Sequence, residues 1–261
     1  MLYIIYSIVL KWWIFKKGVF MNQLAIVTGA SSGIGFATCL ALIERGIRVL
    51  GVARRADKLA FLKKLNPNMI NTLSADVSTK EGRKAILNAL SNEQPRTLSY
   101  VVHCAGVLTP VGPLSSINEE AWRQTMAINV EAPLFLTKAL IPCMKKGRIL
   151  HISSGAAHFP IIHWTAYCAS KAALFQLYQC LNLELKGTHI VVGSLAPGIV
   201  DTPMQDSIRD FDAKQFPDVE KFIKYQQEHT LIPAKKTAAL ITHMLLDTTE
   251  TAFSEKEWDG M

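Results

Sequence analysis

The chain has 261 residues, 49% of them hydrophobic, and a formal charge of +7 at neutral pH. That length suits one α/β domain with a large core. Three of the positive charges, Lys11, Lys16 and Lys17, sit in a short head, and the rest form no basic block of the kind nucleic-acid binding uses. The five cysteines make no CxxC pair and no cluster with histidine at metal-ligand spacing, so no metal is expected; reduced thiols fit a cytoplasmic protein.

Residues 1–20, MLYIIYSIVLKWWIFKKGVF, are an apolar and basic head segment. Lys11 interrupts the apolar run before it could span a bilayer, and no small-residue cleavage site follows. Trp12, Trp13 and Phe15 beside Lys16 and Lys17 suit a membrane surface. The first strand needs nothing before it, so Met21 is the expected start, and a membrane role rests on residues 1–20 alone.

Leu24–Thr28 is a continuous apolar, β-branched run, the pattern of a parallel strand covered on both faces. Gly29-Ala30-Ser31-Ser32-Gly33-Ile34-Gly35 follows at once and leads into a helix. A strand, a glycine turn and a helix N-terminus form a phosphate site, because glycines let the backbone approach and free N–H groups favour an anion. The second strand, Arg48–Ala53, ends without a carboxylate and runs into Arg54 and Arg55. Arginine at this point accommodates a 2′-phosphate, which points to NADP(H) rather than NAD(H).

Met69–Ala75 reads as a third strand ending in Asp76-Val77, Glu81–Leu90 as a helix, and Leu98–His103 as a fourth strand ending in Cys104-Ala105-Gly106. This alternation specifies a single doubly wound Rossmann-type parallel sheet with helices on both faces. Ligands of such sheets gather at the carboxyl ends of the strands, where Asp76 and Gly106 fall. The next helix spans 118–144 and contains Asn129 four residues before Pro133. Proline has no N–H, so the helix should kink there and leave the Asn129 carbonyl free to hold water.

A fifth strand, Gly147–Ile152, ends in Ser153-Ser154, whose hydroxyls can meet a substrate oxygen. Gly155, His158, Phe159, His163 and Trp164 follow as a pocket wall. The run 166–185 reads as helix, which puts Tyr167 and Lys171 one turn apart on one face. An ammonium beside a phenol lowers the phenol pKa and makes it a usable proton donor near neutrality. His189–Leu195 is a sixth strand leading to Ala196-Pro197-Gly198. Residues 201–232, with Met204 among them, are long and polar, show no clear strand and read as a lid. Pro233–Leu246 is the last helix, and Phe253–Asp259 is at most the remnant of a final strand.

The ordered set TGASSGIG at 28–35, CAG at 104–106, Asn129, SS at 153–154, YCASK at 167–171 and PG at 197–198 resembles the short-chain dehydrogenase/reductase family over residues 22–250. SSGAA at 153–157, WTAYCASKAAL at 164–174 and APGIVDTPMQ at 196–205 look most like its sepiapterin reductase and benzil reductase branch. The resemblance implies a catalytic set of Asn129, Ser154, Tyr167 and Lys171. It implies that Gly29, Ser31, Ser32, Gly33, Ile34 and Gly35 cradle the pyrophosphate, that Asp76 and Val77 flank adenine, and that Ala105, Gly106, Pro197, Gly198, Val200 and Thr202 complete the cofactor site with Tyr167 and Lys171. Lys171 would also grip the nicotinamide ribose, and Asn129 would hold a relay water. Cys104 departs from the usual asparagine, which removes amide hydrogen bonds between strand and loop.

Residues 21–261 are thus expected to be one NADPH-dependent catalytic domain that reduces a small ketone or 1,2-dicarbonyl, with Gly155, Trp164 and Met204 in the substrate pocket. The alternative is an NADP(H)-binding redox sensor or scaffold without turnover. The family resemblance also suggests a homodimer or homotetramer.

Overall fold

The computed structural model describes residues 23–93 and 97–260, so the expectations for the head segment and for Met21 lie outside the described residues. Strands β1 (Gln23–Thr28), β2 (Arg48–Ala53), β3 (Ile70–Ser74), β4 (Thr97–His103), β5 (Gly147–Ile152) and β6 (Ile190–Ala196) join a two-residue β9 (Trp258–Asp259) in one sheet. Its order is β3-β2-β1-β4-β5-β6-β9, and every pairing is parallel. The order reverses between β1 and β4, the crevice where open α/β sheets take their ligands.

Apolar side chains alternate along the strands into two cores, because successive residues of a strand point to opposite faces. Val27, Val102, Leu150 and Leu195 face one core with Leu42 of α1 (Gly33–Glu44), Leu62 of α2 (Ala56–Leu65) and Ile241 of α9 (Ala234–Asp247). Ile26, Val101, Ile149 and Val192 face the other with Ile86 of α3 (Lys80–Ser91) and Tyr178 of α6 (Thr165–Glu184). The doubly wound reading of the sequence therefore holds.

The kinked helix expected over 118–144 is present, and two other sequence expectations change. Helical backbone runs unbroken over Glu119–Cys143, as α4 (Glu119–Met126), a wide π turn (Ala127–Glu131) and α5 (Ala132–Leu140) with a closing turn, so the break expected at Asn129 takes the form of a π bulge. Pro133 offers no N–H to the Asn129 carbonyl, and the chain absorbs this by loosening a turn, with the Ala132 N–H bonded to the Ala127 carbonyl. The lid contains two helices, α7 (Pro203–Arg209) and α8 (Val219–Gln227). Both of its ends are pinned, since β7 (Val200–Asp201) pairs in parallel with β8 (Ile232–Pro233). Two-residue strands are too short to write a period into the sequence.

The final strand exists, but only at Trp258–Asp259; Phe253 belongs to a short helix, α10 (Glu250–Ser254). The Gly260 N–H adds a further bond to the Ala196 carbonyl.

Candidate active site

At the sheet's reversal point the chain leaves β1 through the glycine turn and enters α1. Gly29 and Gly33 hold positive φ, at 70° and 54°, a conformation other residues rarely adopt. A Cβ on Gly35 would lie 2.4 Å from the Gly29 carbonyl oxygen, and one on Gly29 would lie 2.8 Å from the Ala105 nitrogen. Backbone thus approaches backbone with no room for side chains, the arrangement that lets N–H groups reach an anion. The Arg55 guanidinium donates to the Ser31 and Ser32 hydroxyls at 2.8 and 2.7 Å, while Arg54 stands 3.9 Å from Asp76. Asp76 accepts from the Ser78 N–H and hydroxyl, and these bonds with the Arg54 charge outweigh burial and lower its pKa. A dinucleotide fits this end: a cradle without side chains for its pyrophosphate and two arginines at the adenosine edge.

The opposite end is built by α6, the β5 terminus and the π turn. Tyr167 and Lys171 are both buried, at 7% and 5% exposure. Burial pushes the Tyr167 phenol up to about 12, with a Ser154 hydrogen bond acting against it. The Lys171 ammonium donates to the Ile152 carbonyl at 2.8 Å and lies 5.5 Å from the tyrosine ring centre. Burial draws it down to about 8, opposed by Cys104 and Glu257. The expected lowering of the tyrosine pKa by Lys171 is therefore not present in this state, because desolvation dominates and the ammonium is engaged by a carbonyl.

Asn129 is held rigidly. Its Oδ1 accepts from the Val107 N–H at 2.9 Å, and its Nδ2 donates to the Val107 carbonyl at 2.8 Å and to Ser170 Oγ at 2.9 Å. The departure at Cys104 is met from another direction: Thr28 Oγ1 accepts from the Ala105 N–H at 3.1 Å, tying β1 to the loop after β4.

The third side of the cleft is aromatic. The Trp164 ring meets Tyr167 edge-on with centroids 5.6 Å apart, and it packs against Phe216 and Phe222 of the lid. His163, at φ 65°, accepts from the Gly112 N–H through its carbonyl. Its Nδ1 lies 2.8 Å from the Gln215 carbonyl, so the wall holds the lid loop. At the lid's root, a Cβ on Gly33 would sit 3.0 Å from Thr202 Cγ2, so the phosphate turn and the lid touch.

The residues expected to touch cofactor or substrate line one cleft of about 1090 Å³, from Arg54 at one end to Met204 and Trp164 at the other, except Asn129 and His163. Asn129 stands behind the cleft, and His163, expected in the pocket wall, instead holds the lid loop through Gln215. Lid residues Phe211, Phe222 and Tyr225, and Glu257 from the tail, also line the cleft and were not expected. Their aromatic and charged character was visible, but nothing local placed them there.

A model of the family described as short chain dehydrogenase matches residues 23–213. The chain belongs to the short-chain dehydrogenase/reductase family. It is a dehydrogenase/reductase near that family's benzil reductase branch. The (S)-benzoin-forming benzil reductase of Bacillus cereus is 30% identical over 231 residues, covering 84% of this chain and 92% of that protein. Escherichia coli 2,3-dihydro-2,3-dihydroxybenzoate dehydrogenase is 35% identical over 70% of this chain and 71% of its own length. Among solved structures, the KRED1-Pglu enzyme superposes with a TM-score of 0.83 at 29% identity, covering 90% of this chain and 99% of that one.

Proposed function

We propose that this short-chain dehydrogenase/reductase uses NADPH to reduce a ketone or 1,2-dicarbonyl with an apolar, aromatic body. The observation that carries the reading is the convergence of Ser154, Tyr167 and Lys171 in one cleft, where the dinucleotide end meets the aromatic wall of Trp164. The Bacillus relatives named as benzil reductases support a dicarbonyl substrate. Arg54 and Arg55 at the adenosine edge, with no carboxylate at the end of β2, support NADPH.

When bound, the cofactor supplies hydride to the carbonyl carbon. The glycine turn binds its pyrophosphate, and Lys171 holds the ribose. Ser154 donates to the carbonyl oxygen, which fixes its orientation and offsets the charge that develops there. Tyr167 gives its proton to that oxygen, so that carbon gains two electrons and oxygen gains one proton. Two groups beside it would raise the phenol's readiness to do so: the Ser154 hydroxyl and the Lys171 ammonium. The Asn129 carbonyl, without a Pro133 N–H to bond, holds a water that returns the proton. Trp164 and the lid aromatics exclude bulk water and grip the substrate's apolar part.

Exposed Phe135 on α5 and Leu183 on α6, at 42% and 76%, support a homodimer or homotetramer through these helices. NADPH consumption with benzil and a panel of aryl diketones tests the function. Turnover that prefers NADPH supports it. Tight NADPH binding with no turnover on any member supports a redox sensor instead.

A further inference from the structure

At the adenosine edge, the turn that follows β3 is held by a side chain that does not itself line the cleft. The Ala75 N–H ties the end of β3 to the Ala53 carbonyl at 2.9 Å. Residues 76–79 then fold tightly onto the start of α3. The Thr79 hydroxyl and N–H donate to the Asp76 carbonyl at 3.0 and 3.2 Å, and a Cβ on Gly82 would collide with that oxygen. Arg83, in the first turn of α3, binds the same turn from its other carbonyls. Its Nη1 donates to Val77 at 2.9 Å and to Ser78 at 2.8 Å, and its guanidinium lies 5.5 Å from the centre of the Phe135 ring on α5. No carboxylate pairs with this cation among the described residues, so two carbonyl dipoles and an aromatic face meet its charge.

We propose that Arg83 is a positioning residue for the adenosine half of NADP(H): by bridging the Val77 and Ser78 carbonyls it fixes the turn that presents Asp76 and Val77 to the cleft, and through Asp76 it sets where Arg54 stands. This rests on the reading of Arg54, Asp76 and Val77 as the adenosine edge. The contacts are continuous. Phe135 carries the Arg83 guanidinium, and Arg83 holds the Ser78 peptide. Ser78 donates to Asp76 Oδ1 from its N–H at 2.9 Å and its hydroxyl at 2.7 Å, and Asp76 Oδ2 stands 3.9 Å from Arg54 Nη1. Asp76 and Val77 line the cleft with Arg54, whereas Arg83 does not. A planar cation that spans two carbonyls of one turn leaves that turn little freedom, so less ordering remains for the nucleotide to impose.

Arg83→Met keeps the apolar stem and removes both donors. The Kd of 2′,5′-ADP, read by displacement of NADPH fluorescence, should rise by about tenfold. The Kd of reduced nicotinamide mononucleotide, which carries no adenosine, should change less than twofold. Arg83→Lys keeps a donor for the carbonyls but loses the planar group over Phe135, so it should fall between wild type and Arg83→Met. Phe135→Leu should weaken 2′,5′-ADP by about threefold. A thermal melt of each variant checks folding. Wild-type affinity for 2′,5′-ADP in Arg83→Met overturns the proposal. Equal weakening of both fragments also overturns it, because the arginine would then serve the fold as a whole. If the wild-type protein binds the nicotinamide fragment but not 2′,5′-ADP, the reading of the adenosine edge fails and this inference falls with it; wild-type binding of both fragments with an unaffected Arg83→Met removes this inference alone.

Discussion

The side-chain amide of Asn129 donates to Ser170 Oγ across 2.9 Å, and Ser170 in turn donates to the Tyr167 carbonyl at 2.8 Å. The π turn and α6 are therefore joined by buried polar bonds within one residue of Lys171. Asn129→Leu removes the bond to Ser170 and both bonds to Val107, and strands the Val107 N–H, a loss of about 2–5 kcal/mol. Urea denaturation should show the drop in midpoint with an unchanged slope. Ser170→Ala, which spares the Val107 bonds, should lose less than half as much.

Tyr167→Phe should lower kcat by about 10²–10⁴-fold, the range expected when a positioned general acid is removed. NADPH affinity, read by fluorescence titration, should change little, since the ring stays in its aromatic wall.

Lys171→Met should inactivate the enzyme yet stabilise the protein without cofactor. Burial holds the folded lysine at about 8, below its ordinary 10.5. Between those values the unfolded chain keeps a proton that the folded chain has lost, so stability climbs with pH across the window, and at pH 7 the buried charge is a full liability. Thermal melts at pH 7 should place the variant a few degrees above wild type, and its stability gain with pH between 8 and 10 should vanish.

Burial also keeps two histidines neutral: His151 is pushed down to about 4, and His103 well below 6.5. Their folded pKa values lie below the unfolded ones, so the unfolded chain takes up protons first as pH falls from 6.5 toward 4, and stability declines over that range. His151→Leu should flatten this decline in denaturation midpoints measured between pH 4 and 6.5.

Arg54→Asp should move the kcat/KM ratio of NADPH to NADH toward NADH by about 10–100-fold, the size of one charge-assisted hydrogen bond to phosphate. Arg55 already bonds Ser31 and Ser32, so Arg55→Ala should also loosen the pyrophosphate turn and weaken both cofactors. An unchanged ratio in both variants would remove the NADPH assignment.

The sheet, the phosphate turn and the Ser154, Tyr167 and Lys171 constellation were legible in the sequence because each is written locally. Val27 and Ile26 alternate into separate cores, glycines mark the turn, and a four-residue spacing places two side chains on one helix face. The tail was not legible. Trp258 pairs with Leu195 through a register set by sheet geometry, and Glu257 finds His158 and Ser194 only once that register exists. The lid was read at 201–232, but its inward aromatics escaped for a related reason: Phe216 and Phe222 pack against Trp164, a partner far away in the sequence. The tyrosine pKa was misjudged because spacing reports which groups are near but not how thoroughly water has been removed from them.

The pairing of Val200–Asp201 with Ile232–Pro233 means that the lid leaves and re-enters the body through a single doorway. A protease that nicks the chain between α7 and α8 would leave each half anchored at that doorway, one by Val200 and the other by Ile232. The cut enzyme should stay one particle, keep its dinucleotide cleft and lose its grip on the carbonyl partner alone. Limited digestion therefore offers a way to separate, in one folded molecule, what holds the nucleotide from what chooses the substrate.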